Sequence, residues 1–338
     1  MKNILVLGGT GFVGAHVCEK LVSQGWHVTV PTRRWANAQH LLPLPLVTVL
    51  ELDVHDEAAL STAVAGHDAV VNLVAILHGT QAAFDHAHVA LPYKLARACV
   101  AAGVKQVVHV SAMGADALQP QSAPSMYLRS KGQGEAVLMQ AAMGAGADVH
   151  AQAGFDLTIL RPSVIFGADD KFINLFAKLQ KVLPFMPLAG AEARFQPVWV
   201  EDVALAVVRC LTQQVGVKET DSPRLIELCG PQVFTLKELV QLSARLSGIN
   251  EGRGRLVIPL PRWLGQLQAL LMELAPGQPL MSRDNLNSML IDNVASGSLP
   301  GLQSLGITPA AFKPIARDYL TQSQPDYGLP GIRLRSHH

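Results

Sequence analysis

The fold of this chain is decided by the stretch Ile-Leu-Val-Leu-Gly-Gly-Thr-Gly-Phe-Val-Gly, residues 4–14. Its apolar half predicts a buried strand, and its glycines predict a tight turn that leads into an amphipathic helix. Gly8, Gly11 and Gly14 are three residues apart, which is the spacing of a dinucleotide-binding turn. An ordinary glycine-rich turn is the alternative, but the later residues favour a nucleotide site. We expect cofactor contacts from Gly8, Thr10, Gly11, Phe12, Val13 and Gly14.

Strand and helix patterns alternate along the first half of the chain. Near-continuous apolar strands in such an arrangement predict a parallel sheet that is covered on both faces. We therefore predict an α/β fold, a Rossmann-type doubly wound parallel sheet with a smaller C-terminal substrate lobe. The Rossmann domain is predicted at 1–167, with segments near 195–230 returning to it. The smaller lobe is predicted at 168–194 and 231–321, and a tail at 322–338. The strands are predicted at 4–7, 27–32, 47–52, 69–75, 107–112, 155–160, 225–229 and 255–258.

Composition excludes some classes of function. The net charge is +1 and only 16% of residues are charged, so the chain offers no electrostatic case for nucleic acid. Hydrophobic residues make up 49%, yet no run of about 18 apolar residues predicts a spanning helix. We expect a cytoplasmic protein, with peripheral contact at the inner membrane face as an option. No metal is expected, because Asp85, His86 and His88 lack a further ligand cluster and are typical of a solvated helix face.

Two arginines follow the second predicted strand. Many NAD sites have an acidic residue there for the ribose hydroxyl, whereas a 2′-phosphate requires positive charge. Arg33 and Arg34 supply that charge and favour NADP over NAD, with a solvated basic turn as the alternative. After the third strand, Asp53 and Val54 are placed to meet an adenine ring, although they also fit a turn that leads into a helix.

Tyr127 and Lys131 give the sharpest catalytic signal. Four residues apart on a helix, their side chains share one face. A free tyrosine has a pKa near 10. We expect the Lys131 ammonium to lower the pKa of Tyr127, so that the phenol exchanges a proton with a substrate hydroxyl or carbonyl.

This combination resembles the extended and atypical branches of the short-chain dehydrogenase/reductase superfamily. Within it, the segments 127–135, 161–167, 195–204 and 282–286 resemble the 39 kDa subunit of mitochondrial complex I and its bacterial relatives. The resemblance implies NADPH bound in a Rossmann fold, with further cofactor contacts from Val74, Ala75, Lys131, Pro162 and Ser163. It also implies that Arg161 shapes the loop beside the nicotinamide, and that some relatives are structural parts of respiratory complexes or are linked to ubiquinone metabolism.

One position departs from the family pattern. Catalytic members have Ser or Thr two residues after the Val-Ser that ends strand five, and this chain has Met113 there. Methionine cannot donate a hydrogen bond to a developing oxyanion. Ser111, at the strand end, is the remaining hydroxyl that we assign to the catalytic set, and Ser125 or Ser163 are substitutes from loops.

The stretch Trp263–Ala275 has leucines at helical spacing. Packing in a core or between subunits is the favoured interpretation. A membrane-surface helix is the alternative, but Arg262 alone flanks the stretch, and such helices are usually rich in Lys and Arg.

Two functions follow from these residues. The first is an NADP-dependent oxidoreductase that transfers hydride to or from a carbonyl, hydroxyl or quinone-related substrate, with nucleotide-sugar epimerisation or dehydration as a variant. The second is a non-catalytic, cofactor-binding structural or regulatory protein of respiratory complex I or ubiquinone metabolism. Tyr127 and Lys131 favour the first, and Met113 favours the second.

Overall fold

A computed structural model describes residues 1–144, 154–212, 222–274, 277 and 279–322. The chain forms two compact units. The first consists of Met1–Pro162, Val200–Leu228 and Ala295–Thr308. The second consists of Ser163–Trp199, Cys229–Val294 and Pro309–His338, of which 309–322 are described at the C-terminal end. The domain boundaries predicted from the sequence stay a prediction.

The described strands are β1 (Asn3–Leu7), β2 (His27–Thr32), β3 (Val47–Glu51), β4 (Ala69–Asn72), β5 (Gln106–Val110), β6 (Asp156–Pro162), β7 (Ile165–Phe166), β8 (Phe185–Ala189), β9 (Arg194–Phe195), β10 (Val198–Trp199), β11 (Arg224–Leu228), β12 (Phe234–Thr235) and β13 (Leu256–Leu260). The described α-helices are α1 (Phe12–Ser23), α2 (Glu57–Val64), α3 (Gln81–Asp85), α4 (Leu91–Ala102), α5 (Met126–Ala142), α6 (Ile173–Val182), α7 (Val200–Thr212), α8 (Leu236–Leu246), α9 (Arg262–Leu274), α10 (Arg283–Ser288) and α11 (Phe312–Gln322).

A seven-stranded parallel sheet forms the centre of the first unit. Its strand order is β11-β6-β5-β4-β1-β2-β3, and every neighbouring pair is parallel. The order reverses between β1 and β4, which is where open α/β sheets bind ligands at the carboxyl ends of their strands. Apolar strand residues such as Leu5, Val70 and Val107 are buried in one cluster with helix residues such as Leu95 and Leu138. The predicted α/β, Rossmann-type fold is confirmed.

The glycine turn after β1 depends on close backbone contact. Gly8 has φ +79°, a left-handed conformation that side chains disfavour. A Cβ on Gly14 would lie 2.3 Å from the Gly8 carbonyl oxygen and 2.6 Å from the Gly9 Cα. Only a residue without a side chain lets α1 approach β1 this closely.

Strand β6 runs two residues further than predicted. The sequence suggested that Arg161-Pro162 ends it, but Pro162 is its last residue. The carbonyls of Leu160 and Pro162 accept the amides of Ser111 and Met113, so pairing continues past the end of β5. A proline is tolerated here because it closes the strand and serves only as an acceptor.

The second unit has its own hydrophobic core. Side chains from α6, α8 and α11 pack together there, including Ile173, Leu239 and Phe312. Beside this core, β8 and β13 form a two-stranded parallel sheet. The strand β8 and the helix α6 were not predicted, because the prolines of this region obscure both periods. The predicted loop at 144–154 and tail at 322–338 fall mostly on 145–153 and 323–338, outside the described residues.

Of the two favoured interpretations of α9, packing in the core of this chain is wrong for its large side chains, and packing between subunits stays a prediction. Leu267, Leu271 and Leu274 are exposed, whereas the small residues Gly265 and Ala269 are buried. Small residues face inward because α9 lies directly against β8, where a Cβ on Gly265 would be 2.5 Å from the Ala189 Cβ. The end of the predicted helix, Ala275, lies outside the described residues. No helix in the described ranges is long and apolar enough to cross a bilayer.

We predict that Gly14→Ala destabilises the chain by about 3 kcal/mol or more, because the added methyl group meets backbone that cannot move aside. Urea unfolding measures the change. Gly25→Ala is the control, because nothing lies within 4 Å of the Gly25 Cβ position, although Gly25 has a positive φ (+72°) and Gly14 does not. Backbone strain alone should cost the control about 1 kcal/mol. Equal losses in the two variants would contradict the close-contact explanation.

Candidate active site

The parallel sheet brings most of the predicted site residues to one edge. Parallel strands share a carboxyl edge, and this edge carries the turns that follow β1, β2, β3, β4 and β5. The positions assembled there are Gly8–Gly14, Arg33, Arg34, Asp53, Val54, Val74, Ala75, Ser111 and, at the end of β6, Pro162. Ser163 is the exception, because it belongs to the second unit, where its hydroxyl donates to the Asn293 backbone carbonyl at 2.8 Å.

The glycine turn has the features that a pyrophosphate requires. Gly11 is the N-cap residue of α1 and supplies no side-chain hydrogen bond to the first turn. The amides of Phe12 and Val13 therefore begin the helix without a side-chain cap, at the positive end of its dipole. The narrow cradle at Gly8 and Gly14, which a Cβ would fill, leaves backbone groups as the ligand-facing surface. These residues fit a dinucleotide.

The arginines after β2 are exposed to solvent. Among the described residues, neither Arg33 nor Arg34 has an ion-pair partner. Asp53 follows the neighbouring strand β3, and its Oδ1 accepts the His55 amide at 3.0 Å. Burial and the nearby His86 ring lower the pKa of His55, with a smaller contribution from the Arg33 charge. Thr32, the residue before Arg33, pairs with Glu51 of β3. Arg33 is therefore close to the end of β3, at the sheet edge where an adenosine ribose would be held.

The helix α5 presents Tyr127 and Lys131 at the end of β5. Ser125 caps the helix by accepting the Leu128 amide at 3.1 Å. Lys131 is 1% exposed, and its Nζ donates to the Val110 carbonyl at 2.8 Å. Burial lowers the pKa of Lys131 to about 8, although the Glu135 carboxylate opposes the shift.

Tyr127 is protonated at neutral pH in the folded chain. Burial raises its pKa to about 12. Our expectation that the lysine would lower this pKa is therefore wrong for the protein by itself, because desolvation of the phenolate outweighs any attraction to the ammonium. A neutral phenol has a proton to donate when negative charge develops on a substrate oxygen.

Glu135 is a site residue that our sequence analysis missed. It is fully buried one turn after Lys131 and forms a two-point ion pair with Arg161, at 3.0 Å and 2.5 Å. Arg161 thus ties β6 to α5, and the loop-shaping role implied by the resemblance stays a prediction. The signal was present, because Tyr127, Lys131 and Glu135 are spaced four apart and share one helix face.

His88 is the second missed residue. The interpretation of a solvated helix face is wrong for it, because His88 is buried. Its Nε2 accepts the Ile76 amide at 3.0 Å, so its Nδ1 carries the proton and donates to the Ser130 hydroxyl at 2.8 Å. Ser130 in turn donates to the Tyr127 carbonyl at 2.8 Å. The His88 ring also meets the Tyr127 ring edge to face, at 5.6 Å between centroids. Burial lowers the pKa of His88 to about 3, which keeps the imidazole neutral.

The two proposed substitutes for the hydroxyl that Met113 lacks are engaged elsewhere. Met113 is buried, and its amide is held by the Pro162 carbonyl at 3.1 Å. Of the proposed substitutes, Ser125 caps α5, and Ser163 is bonded to Asn293 within the second unit. The Ser111 hydroxyl is buried and has no hydrogen-bond partner in the described part of the chain. The Ser111 hydroxyl is thus available to a bound group, although the family pattern has its hydroxyl donor two residues later, at the position of Met113.

The fold and this edge define a Rossmann-type, dinucleotide-binding protein with the tyrosine-lysine pair of short-chain dehydrogenases/reductases. Residues 4–222 match the model of the NAD dependent epimerase/dehydratase family, and the chain belongs to that family. An oxidoreductase fold of the extended short-chain type is thereby established, and NAD is the cofactor for which the family is described.

The chain is similar to subunits of a respiratory complex. It is 30% identical to mitochondrial NADH dehydrogenase (ubiquinone) 1 alpha subcomplex subunit 9 of Mus musculus, over 91% of this chain and 77% of the relative. The Arabidopsis thaliana protein of the same name is 26% identical over 96% of this chain and 79% of its own length. A ceramide reductase of Caulobacter vibrioides is 25% identical, over 72% of this chain and 79% of that protein.

Solved structures share the fold. A dTDP-glucose 4,6-dehydratase from Streptomyces venezuelae, with NAD bound, superposes with a TM-score of 0.70 at 22% identity, covering 95% of this chain and 97% of that one. A UDP-glucuronic acid 4-epimerase from Bacillus cereus, in complex with NAD, has a TM-score of 0.68 at 16% identity and covers 95% of this chain and 99% of its own. At these identities the likeness concerns the fold alone.

We predict that Lys131→Met changes how stability depends on pH. The pKa of Lys131 is about 8 in the folded chain and 10.5 as its ordinary value. At pH 7 both states are protonated, so the folded protein bears the whole cost of burying the ammonium. As the pH rises above 8 the folded state loses this proton first, and the cost is relieved. The wild type should therefore gain about 2 kcal/mol relative to the variant between pH 7 and about pH 9.5.

Urea unfolding at several pH values measures this difference. Lys105→Met, at an exposed lysine, is the control and should show no such trend. A difference between wild type and Lys131→Met that stays constant with pH would contradict a desolvated ammonium.

Proposed function

We propose that this chain is an NADP(H)-dependent oxidoreductase that reduces a carbonyl group or a quinone-related substrate. The observation that carries the proposal is the pairing of a half-buried Tyr127 with a fully buried Lys131 on one face of α5, at the sheet edge that also holds the glycine turn. The glycine turn would hold the pyrophosphate. Val54 and Asp53 would meet the adenine, and Lys131 would meet the nicotinamide ribose. Val74, Ala75 and Pro162 are further proposed contacts, whereas Ser163 belongs to the second unit.

Each catalytic residue has a role that its environment supports. The bound nicotinamide supplies the hydride. Tyr127 has a raised pKa and donates its phenolic proton to the substrate oxygen as negative charge develops there. Lys131 stabilises the phenolate that remains, and Ser111 offers a hydroxyl that has no partner in the described residues. His88 holds the backbone of Tyr127 through Ser130 and limits the movement of its ring.

The preference for NADP over NAD rests on Arg33 and Arg34. Both side chains are exposed beside the end of β3, where a 2′-phosphate is the group that can use two guanidinium donors. The residues that follow β2, Arg33 to Trp35, are not acidic, and the neighbouring Glu51 carboxylate of β3 accepts the Trp35 amide at 3.3 Å.

A second candidate function is a cofactor-holding structural subunit without turnover. Met113 favours it, because loss of one oxyanion donor costs about 10²–10³ in rate, and neither Ser125 nor Ser163 replaces that donor. The respiratory-complex relatives support it as well, while the ceramide reductase supports the enzyme. In this candidate the partners are respiratory or quinone-metabolism proteins, and the location is peripheral at the inner membrane face rather than free in the cytoplasm.

We predict that the double variant Arg33→Gln, Arg34→Gln weakens NADPH binding roughly hundredfold, since hydrogen bonds to charged groups contribute about 1.5–3 kcal/mol each. NADH binding should change by less than about threefold, because NADH lacks the 2′-phosphate. Isothermal titration of both nucleotides measures the effect, with the exposed Arg209→Gln as the control. Equal losses for NADPH and NADH would refute the assignment.

We predict that Tyr127→Phe lowers hydride transfer by about 10²–10⁴ without weakening NADPH binding to a similar degree. The measurement follows NADPH oxidation and deuterium transfer from stereospecifically labelled NADPH to a panel of quinones, aldehydes, ketones and ceramides. Tight NADPH binding with no label transfer by the wild type would reject the enzyme and favour the structural subunit.

A further inference from the structure

The helix α9 has the reverse of the usual amphipathic arrangement. Its buried positions are the small residues Gly265 and Ala269, which pack on Ala189 and Leu286. Its exposed positions are large and apolar, with Trp263 at 67%, Leu271 at 61% and Leu274 at 75% exposure. A surface helix normally buries such residues. These apolar side chains can be removed from water only by a binding partner outside the described structure.

The outer face of the β8–β13 sheet continues this apolar surface. Leu256 and Ile258 of β13 are exposed beside Phe185 and Pro187 of β8, whereas Val257 and Met186 point into the core. The sheet has one covered face and one open face, and α9 lies over only one end of the open one. A groove of about 510 Å³ joins the two parts. It is lined by Pro187, Leu260, Leu264, Leu267, Gln268, Leu271 and Met272.

Cationic side chains lie in the segments that lead into this surface. The stretch 178–188 contains Lys178 and Lys181 and no acidic residue, and the stretch 251–272 contains Arg253, Arg255 and Arg262 with Glu251 as its one acidic residue. The Arg255 Nε donates to the Gln180 carbonyl at 3.2 Å, so the end of α6 lies beside the start of β13. Glu273, the acidic residue that follows, is paired with Arg283 at 2.9 Å. The charge is local, because the whole chain has a net charge of only +1.

We propose that this face, formed by α9 and the open side of β8–β13, binds the surface of an anionic phospholipid bilayer. Exposed leucines and a tryptophan match the boundary between headgroups and acyl chains, and the bordering cations match lipid phosphates. A surface that binds a protein usually has a rim of hydrogen-bonding groups around an apolar centre. Apart from the cations, the polar side chains within 178–188 and 253–272 are glutamines, which favours a lipid surface over a protein. The lone flanking Arg262 argued against a membrane helix in the sequence, but the segments that lead into β8 and β13 add Lys178, Lys181, Arg253 and Arg255.

This inference specifies the peripheral location proposed above and does not depend on NADPH binding or turnover. The test is flotation of the full chain with vesicles of phosphatidylcholine, alone or mixed with phosphatidylglycerol, with and without NADPH. We expect flotation with the anionic vesicles, weakened by salt, and unchanged by the nucleotide. Fluorescence quenching by brominated lipids should be lost in Trp263→Phe. Loss of NADPH binding with flotation intact would count against the proposed function alone.

Matched variants separate the two parts of the surface. Leu267→Gln with Leu271→Gln should reduce binding to anionic vesicles at least roughly tenfold, whereas Leu42→Gln with Leu118→Gln, at exposed leucines of the first unit, should have no effect. Lys178→Gln with Arg253→Gln should weaken binding roughly thirtyfold and flatten its salt dependence.

Absence of flotation by the wild type at low salt would overturn the proposal. Equal loss in the control pair would overturn it too. A wild-type dimer that becomes monomeric in Leu267→Gln, Leu271→Gln would assign the face to a second copy of the chain instead.

Discussion

The contact between the Gly14 Cα and the Gly8–Gly9 backbone is the constraint on which the rest of the first unit depends. It sets the distance of α1 from the sheet, and it leaves backbone amides as the surface of the turn. Because β1 is next to the point where the strand order reverses, this turn is central to the carboxyl edge. The arginines after β2, the acidic turn after β3 and the end of β5 are all positioned relative to it by parallel pairing.

Desolvation governs the chemistry of this edge. Burial raises the pKa of Tyr127 and lowers the pKa of Lys131, so each group is pushed toward its neutral form. Buried ion pairing elsewhere on the same helix, between Glu135 and Arg161, holds α5 against β6. A phenol that keeps its proton and an ammonium near its titration point are suited to donating a proton during reduction. The same features are consistent with a site that binds a nucleotide tightly and rarely reacts, since Met113 removes the usual partner of the tyrosine.

The second unit shows how one small residue redirects a whole helix. Gly265 allows α9 to lie against Ala189, and this contact turns the leucine stripe outward. Periodicity alone could not show this, because an apolar stripe has the same spacing whether it faces a core, a partner or a membrane. The direction of the stripe depends on which face of the helix has the residues small enough to pack closely.

The sequence by itself determined the parallel sheet, the glycine turn, the strand ends that carry Arg33 and Asp53, and the shared helix face of Tyr127 and Lys131. These features follow from local spacing, which repeats with the period of a strand or a helix. Only the tertiary structure decided the burial of His88, the ion pair between Glu135 and Arg161, and the hydrogen bond from Ser163 to Asn293. It also decided the sign of the pKa shift of Tyr127 and the outward direction of α9. These features depend on which distant segments pack against a side chain and exclude water from it. The spacing of residues along the chain does not specify that packing.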